Sequence, residues 1–249
     1  MFQKNILITG AASGIGLSTS EAFKRMGANI YLVDINADAL ADEAKRLDAA
    51  GYYSCDITGE AACAQAIDSA VEKMGNIDGL MHAAGVSDVI TSTIDMNIDV
   101  WQRIVDINLR GTLLVNRAVG LHYLRQKKGS IVNIASINGI VGVPRRNAYG
   151  PAKAGVMQLT RNLACEWAGF NIRVNAIAPG PIATPMMEHL VQTGKVIATD
   201  YTDRIPLARF GNPDEISNAA AFLLSDMSSY ITGVTLPVDG GFLAYGGLD

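Results

Sequence analysis

The chain has 249 residues, 49% hydrophobic and 18% charged, enough apolar material for one large core that covers both faces of a sheet. A net charge of −4, with no basic run longer than Lys127-Lys128, argues against a nucleic-acid partner. No apolar run reaches the ~18 residues that span a membrane, and Met1-Phe2-Gln3-Lys4 leads into the first strand without a signal-peptide pattern. Cys55, Cys63 and Cys165 lack C-x-x-C spacing and read as reduced, mostly core thiols, so a cytoplasmic protein is expected.

In chain order, strand patterns fall near 4–9, 29–34, 51–55, 77–82, 129–136, 172–178 and 232–238. Helical patterns fill about 15–26, 37–49, 59–74, 97–124, 147–168 and 213–225, the last opened by Pro213, Asp214 and Glu215. This alternation predicts an α/β fold: one domain over 1–249, a doubly wound, Rossmann-type parallel sheet of about seven strands with helices on both faces. No repeat, low-complexity tract or linker divides it. The long irregular stretch, about 180–212, carries several prolines and glycines and reads as a substrate loop or lid, with a short helical piece from Met186 to Val196.

The first strand ends in Gly10-Ala11-Ala12-Ser13-Gly14-Ile15-Gly16, a glycine turn opening onto a helix. Glycines leave room for an anion near the backbone N–H groups of the helix N-terminus. Asp34 closes the second strand, where an acidic residue accepts hydrogen bonds from the adenosine ribose and repels the extra phosphate of NADP. The competing reading is that Asp34 only caps the next helix. Ser13 and Ile35, the neighbours that could reverse the cofactor preference, are not basic.

Tyr149 and Lys153 stand four apart and share one face of a predicted helix. A phenol with pKa ~10 is a poor base, but a nearby ammonium and a positive nicotinamide ring would lower that value. Ser136 ends the fifth strand, on the side of a parallel sheet where ligands bind. Pro151 is compatible with a helix only in its first turn, which places the start near Asn147, a residue suited to capping. Arg145-Arg146 reads as a solvated pair or as a recogniser of acidic substrates. Met186, Met187 and His189 read as loop packing or substrate contacts. Trp101 and Trp167 are expected at packing surfaces. His82, His122 and His189 have no ligand spacing, so no metal is expected.

In ordered combination these residues resemble the short-chain dehydrogenases/reductases, the branch with chains of about this length, over essentially the whole chain. Thr9-Gly10-x-x-x-Gly14-Ile15-Gly16 is similar to the family's cofactor turn, Asp56-Ile57 to its adenine contact, and Pro179-Gly180 with Ile182 and Thr184 to its nicotinamide segment. Asn108, Ser136, Tyr149 and Lys153 match its catalytic four, and Asp239-Gly240-Gly241 its C-terminal signature. The resemblance implies cofactor contacts from Gly10, Ser13, Gly14, Ile15, Gly16, Asp34 and Ile35. It adds Asp56, Ile57, Ala84, Gly85, Tyr149, Lys153, Pro179, Gly180, Ile182 and Thr184.

The implied activity is NAD(H)-dependent interconversion of a secondary alcohol and a ketone. Tyr149 is the general acid/base, Ser136 polarises the substrate oxygen, Lys153 holds the ribose, and Asn108 anchors a water linking Lys153 to solvent. Two rival readings stand beside it: an NADP-dependent carbonyl reductase, and a sensor that binds NAD without turnover. Enoyl reductases of the related branch space their Tyr and Lys wider than four. The resemblance also implies a homotetramer, to which apolar Leu113, Leu114, Val115, Val156, Met157 and Leu159 on the two long helices add support. The chain departs from the family at His82-Ala83-Ala84-Gly85, where an asparagine is usual at position 82; a satisfied core histidine is the expectation there.

Overall fold

The computed structural model of the chain describes residues 3–194 and 197–247. Seven parallel strands form one sheet in the order β3-β2-β1-β4-β5-β6-β7: β1 Asn5–Thr9, β2 Asn29–Asp34, β3 Gly51–Ser54, β4 Gly79–His82, β5 Gly129–Ile134, β6 Ile172–Pro179 and β7 Thr235–Val238. The order reverses direction between β1 and β4, which opens a crevice at the carboxyl ends of those strands.

Successive strand residues face opposite sides, and the core divides accordingly. Leu7, Tyr31, Val33, Leu80, Ile131 and Val174 face one layer, made of α3 (Glu60–Met74), α5 (Gly111–Gln126) and α6 (Tyr149–Trp167). Ile6, Ile8, Ile30, Leu32, Met81 and Val132 face the other, made of α1 (Gly14–Arg25), α2 (Ala37–Arg46) and α9 (Pro213–Leu224). Both faces are covered, as the near-continuous apolar runs of β1 and β2 require. The doubly wound fold expected from the sequence is the fold observed.

Three differences from the sequence reading have local causes. The helix expected over 97–124 is α4 (Ile98–Val105) followed by a π turn over Asp106–Arg110 and then α5; within the turn the Gly111 N–H bonds the Asp106 carbonyl five residues back. Such wide turns sit inside α-helices often at functional positions, and Asn108 is in this one. The stretch after β6 holds two short helices, α7 (Pro185–Gln192) and α8 (Ala198–Thr202). Thr184 caps α7 by accepting the Met187 N–H, so that helix starts one residue before Met186; Val196 lies outside the described residues. Lastly, α6 starts at Tyr149 and Asn147 does not cap it. The Asn147 amide donates to Thr93 Oγ1 instead, at 2.7 Å.

Cys55 and Cys63 are buried as expected, whereas Cys165 is exposed on α6. Trp167 is buried against Gly120, where any side chain would collide with its ring. No helix among the described residues is long and apolar enough to cross a membrane.

Candidate active site

A cleft of about 810 Å³ runs across the carboxyl ends of β1 to β5. One end is the glycine turn. Each of its three glycines is required for a different reason. A Cβ on Gly10 (φ +69°) would lie 2.8 Å from the Ala84 N, and one on Gly16 would lie 2.0 Å from the Gly10 carbonyl oxygen. Gly14 (φ +53°) has open space: its Cβ would point into the cleft, with Thr184 the nearest wall at 3.9 Å. That gap lies at the N-terminus of α1, where Ser13 occupies the capping position without a side-chain cap bond. A dinucleotide's phosphates need an anion-binding helix end with no side chain in the way, so these residues fit the group that the sequence implies.

Asp34 ties this turn together. Its two oxygens accept the Ala12 N–H and the Asn36 N–H, each at 3.0 Å. Asn36, not Asp34, caps α2 by accepting the Ala39 N–H. The capping alternative for Asp34 is therefore set aside, and its carboxylate lines the cleft beside exposed Ile35. Asp56 and Ile57 line it after β3, where Asp56 accepts both the N–H and the hydroxyl of Thr58.

At the other end stand Asn108, Tyr149 and Lys153. The Lys153 ammonium donates to the Ile134 carbonyl at 2.8 Å and sits 5.5 Å from the Tyr149 ring centre. Burial lowers its pKa to about 8. Burial also raises Tyr149 above its ordinary value, offset in part by a hydrogen bond with Ser136 and by the charge of Arg146. Ser136 is buried beside Tyr149, and its hydroxyl also accepts the Asn138 N–H at 3.1 Å.

Asn108 is wholly buried, and its side chain is committed. It donates to the Val86 and Ile104 carbonyls and accepts the Val86 N–H at 3.3 Å. A Cβ on Gly85 would come within 2.7 Å of Asn108 Oδ1 and 3.4 Å of Lys153 Nζ, so glycine lets the two close on each other.

Ala84, Gly85 and Thr184 reach the cleft as expected, but Pro179, Gly180 and Ile182 are not on its wall. Pro179 ends β6, Gly180 packs on Asp239, and Ile182 is buried in a bridge to Gly211. They set the path of the loop that presents Thr184, Pro185 and Met186. His189 is exposed and off the wall. Arg146 is buried and donates to Ser87 Oγ, which removes the solvated-pair reading for it; Arg145 is exposed, at φ +65°.

Asp88 is the residue that the sequence did not point to. It is buried, and its Oδ2 accepts the Tyr149 N–H at 3.0 Å, capping α6 from a distant part of the chain. Gly150 and Ala152 donate to the Arg146 and Ala148 carbonyls. Pro151, in the same first turn, has no N–H to satisfy, so every N–H of that turn is partnered. Gln102 and Arg103 of α4 and Asp106 and Arg110 of the π turn also line the cleft. Nothing in their spacing announces it.

A doubly wound sheet with a glycine turn, a carboxylate lining the cleft after β2 and a Ser-Tyr-Lys cluster is the arrangement of a nicotinamide-dependent oxidoreductase. Residues 10–243 match a family model described as Enoyl-(Acyl carrier protein) reductase. The 3-oxoacyl-[acyl-carrier-protein] reductase FabG of Thermotoga maritima is 40% identical over 245 residues, 96% of this chain and 98% of that one. The structure of NAD⁺-bound xylitol dehydrogenase superposes with a TM-score of 0.93 at 36% identity, over 96% of this chain and 99% of that one. That of a variant actinorhodin polyketide ketoreductase with NADPH gives 0.91 at 29% identity, over 98% of both. The chain belongs to the short-chain dehydrogenase/reductase family.

Proposed function

We propose that the protein is an NAD(H)-dependent oxidoreductase that interconverts a secondary alcohol and a ketone. The observation that carries the reading is the joining, in one cleft, of Tyr149 and Lys153 with Asp34 at the far end, while Ser136 lies buried behind the wall beside Tyr149. Asp34 and Lys153 would hold the two riboses, the glycine turn the phosphates, and Asp56 with Ile57 the adenine. The nicotinamide supplies the hydride acceptor or donor.

Ser136 orients the substrate oxygen, and Tyr149 exchanges a proton with it. Oxidation needs the phenolate, and burial alone works against that form. The Lys153 ammonium and the cofactor's positive ring therefore have to lower the phenol together once the cleft is filled. Asn108 stands beside Lys153 across Gly85, where a water could link the ammonium to solvent. The four-residue Tyr-Lys spacing favours ketone over enoyl chemistry, although the matched family model carries an enoyl reductase description.

The test is a set of initial rates with NAD and NADP over secondary alcohols and ketones, with an enoyl thioester as a third class. Tyr149→Phe removes the proton donor and leaves the ring, so turnover should fall by about 10²–10⁴-fold with NAD affinity unchanged. A Phe variant retaining more than about a tenth of the activity, or a wild type that prefers NADP, overturns the corresponding part of the reading.

A further inference from the structure

The departure at His82 has a structural answer that reaches past core packing. His82 is wholly enclosed at the end of β4, with Nδ1 2.7 Å from Thr9 Oγ1 and Nε2 3.1 Å from Thr112 Oγ1. Thr9 is the last residue of β1, next to Gly10 of the cofactor turn, and its oxygen also accepts the Ala84 N–H. Thr112 lies one turn after Asn108 and donates its only hydroxyl proton to the Asn108 carbonyl at 2.7 Å.

These contacts fix every proton. Because Thr112 gives its hydrogen to Asn108, it can only accept from His82, so Nε2 carries the ring proton. Nδ1 is then an acceptor, and Thr9 must donate to it. The opposite tautomer would set two acceptor oxygens, Thr112 Oγ1 and Asn108 O, against each other at 2.7 Å. Burial, with the charge of Lys153 nearby, holds the imidazole pKa down to about 3, so the ring stays neutral at working pH. The result is a one-way chain: Ala84 N–H to Thr9 O–H, to His82, to Thr112 O–H, to the Asn108 carbonyl.

We propose that His82 is a positioning residue that joins the cofactor turn to the π turn carrying Asn108, so that one side chain sets both ends of the cleft. The proposal rests on the functional reading above for its kinetic consequence, but its proton assignment does not. A smaller polar residue at position 82 could satisfy one end only. Asparagine places an oxygen near the Nδ1 position, and glutamine places an N–H near the Nε2 position; neither does both.

The variants therefore separate the two ends. His82→Asn should keep the Thr9 bond and lose the Thr112 bond, lowering kcat by about tenfold with the KM for NAD within about twofold, as the loss of one buried hydrogen bond implies. His82→Gln should do the reverse, raising the KM and Kd for NAD by about tenfold while kcat holds within about twofold. Thr112→Val removes the His82–Thr112 bond from the other side, together with the Thr112–Asn108 bond beyond it, without disturbing β4. It should reproduce the kcat loss, and the double variant should cost little more than either alone.

Nitrogen NMR of the wild-type imidazole, which needs no turnover, should show a neutral ring protonated on Nε2. An Nδ1–H tautomer overturns the proposal outright. So do variants that lower kcat and NAD affinity in parallel, or that change only the melting temperature. Absence of NAD-linked turnover in the wild type would sink the functional reading alone, and the tautomer together with calorimetric Kd values for NAD would still decide this one.

Discussion

At Asp34 the two carboxylate oxygens already accept N–H groups from Ala12 and Asn36, so a substitution meant to change the cofactor must also keep the glycine turn in place. Asp34→Ala removes both acceptors and should weaken NAD and NADP alike. Asp34→Ser with Ile35→Arg keeps a short acceptor and adds a cation from an exposed position, and should move the kcat/KM ratio toward NADP. Initial rates with both cofactors check this, and a double variant still confined to NAD would remove Asp34 from the specificity argument.

His82 gives a second test at the same scale. Its folded pKa of about 3 lies below the ordinary 6.5, so the unfolded chain binds the extra proton between those values. Stability contributed this way is complete above about pH 6.5 and is lost as pH falls toward 3, with a slope of roughly 1.4 kcal/mol per pH unit. Urea unfolding of wild type and His82→Gln across that window should show the glutamine variant losing stability less steeply on the acid side. Parallel acid limbs would mean that the imidazole is not the buried group that titrates.

At the scale of elements, the start of α6 decides where Tyr149 stands. Two local signals, the place of Pro151 and the asparagine itself, predict a cap at Asn147, yet the N–H of Tyr149 is taken by Asp88, more than sixty residues earlier in the chain. Asp88→Ala should lower stability by about 1 kcal/mol, the usual size of a lost cap, and should reduce kcat because the Tyr149 backbone loses its anchor. Asp88→Asn keeps an acceptor oxygen and should recover most of both. The check is a pair of melting curves read beside kcat. An alanine variant with wild-type kcat would show that α6 holds Tyr149 without help.

The π turn at 106–110 was equally illegible, because no proline or glycine pair interrupts Ile98 to Gln126. By contrast the β1 turn was readable to the residue. Three glycines at fixed spacing mark it, and two of the demands on them, the positive φ of Gly14 and the approach of Gly16 to the Gly10 carbonyl, are local, while the third sets Gly10 against Ala84 after β4.

For the whole molecule, the physical argument for a tetramer is weaker than the sequence suggested. Leu114, Val115, Val156 and Met157 are buried in the protomer's own core, and Leu159 packs against it, leaving Leu113 exposed among the six. A period-based count of apolar positions cannot see that α5 and α6 are covered by the sheet, by α3 and by each other. Assembly therefore remains a proposal that rests on the family, with exposed Leu113 and Leu121 on α5 and Phe170 after α6 as surfaces for it. Light scattering should give a mass near four times 26.4 kDa. A monomer mass together with full activity would end the proposal.

The sequence by itself determined the sheet, the glycine turn, and the identities of Ser136, Tyr149 and Lys153. Those features depend on side-chain period, on glycine's access to positive φ and on residue chemistry, all of which act over a few neighbouring positions. Only the tertiary structure decided that Asp88 caps α6, that Asn108 spends its amide on Val86 and Ile104, and that His82 carries a bond in each direction. Each of those rests on one hydrogen bond or more between groups that the chain brings together only after the sheet has formed, and a linear pattern holds no trace of which distant partner a polar group will meet.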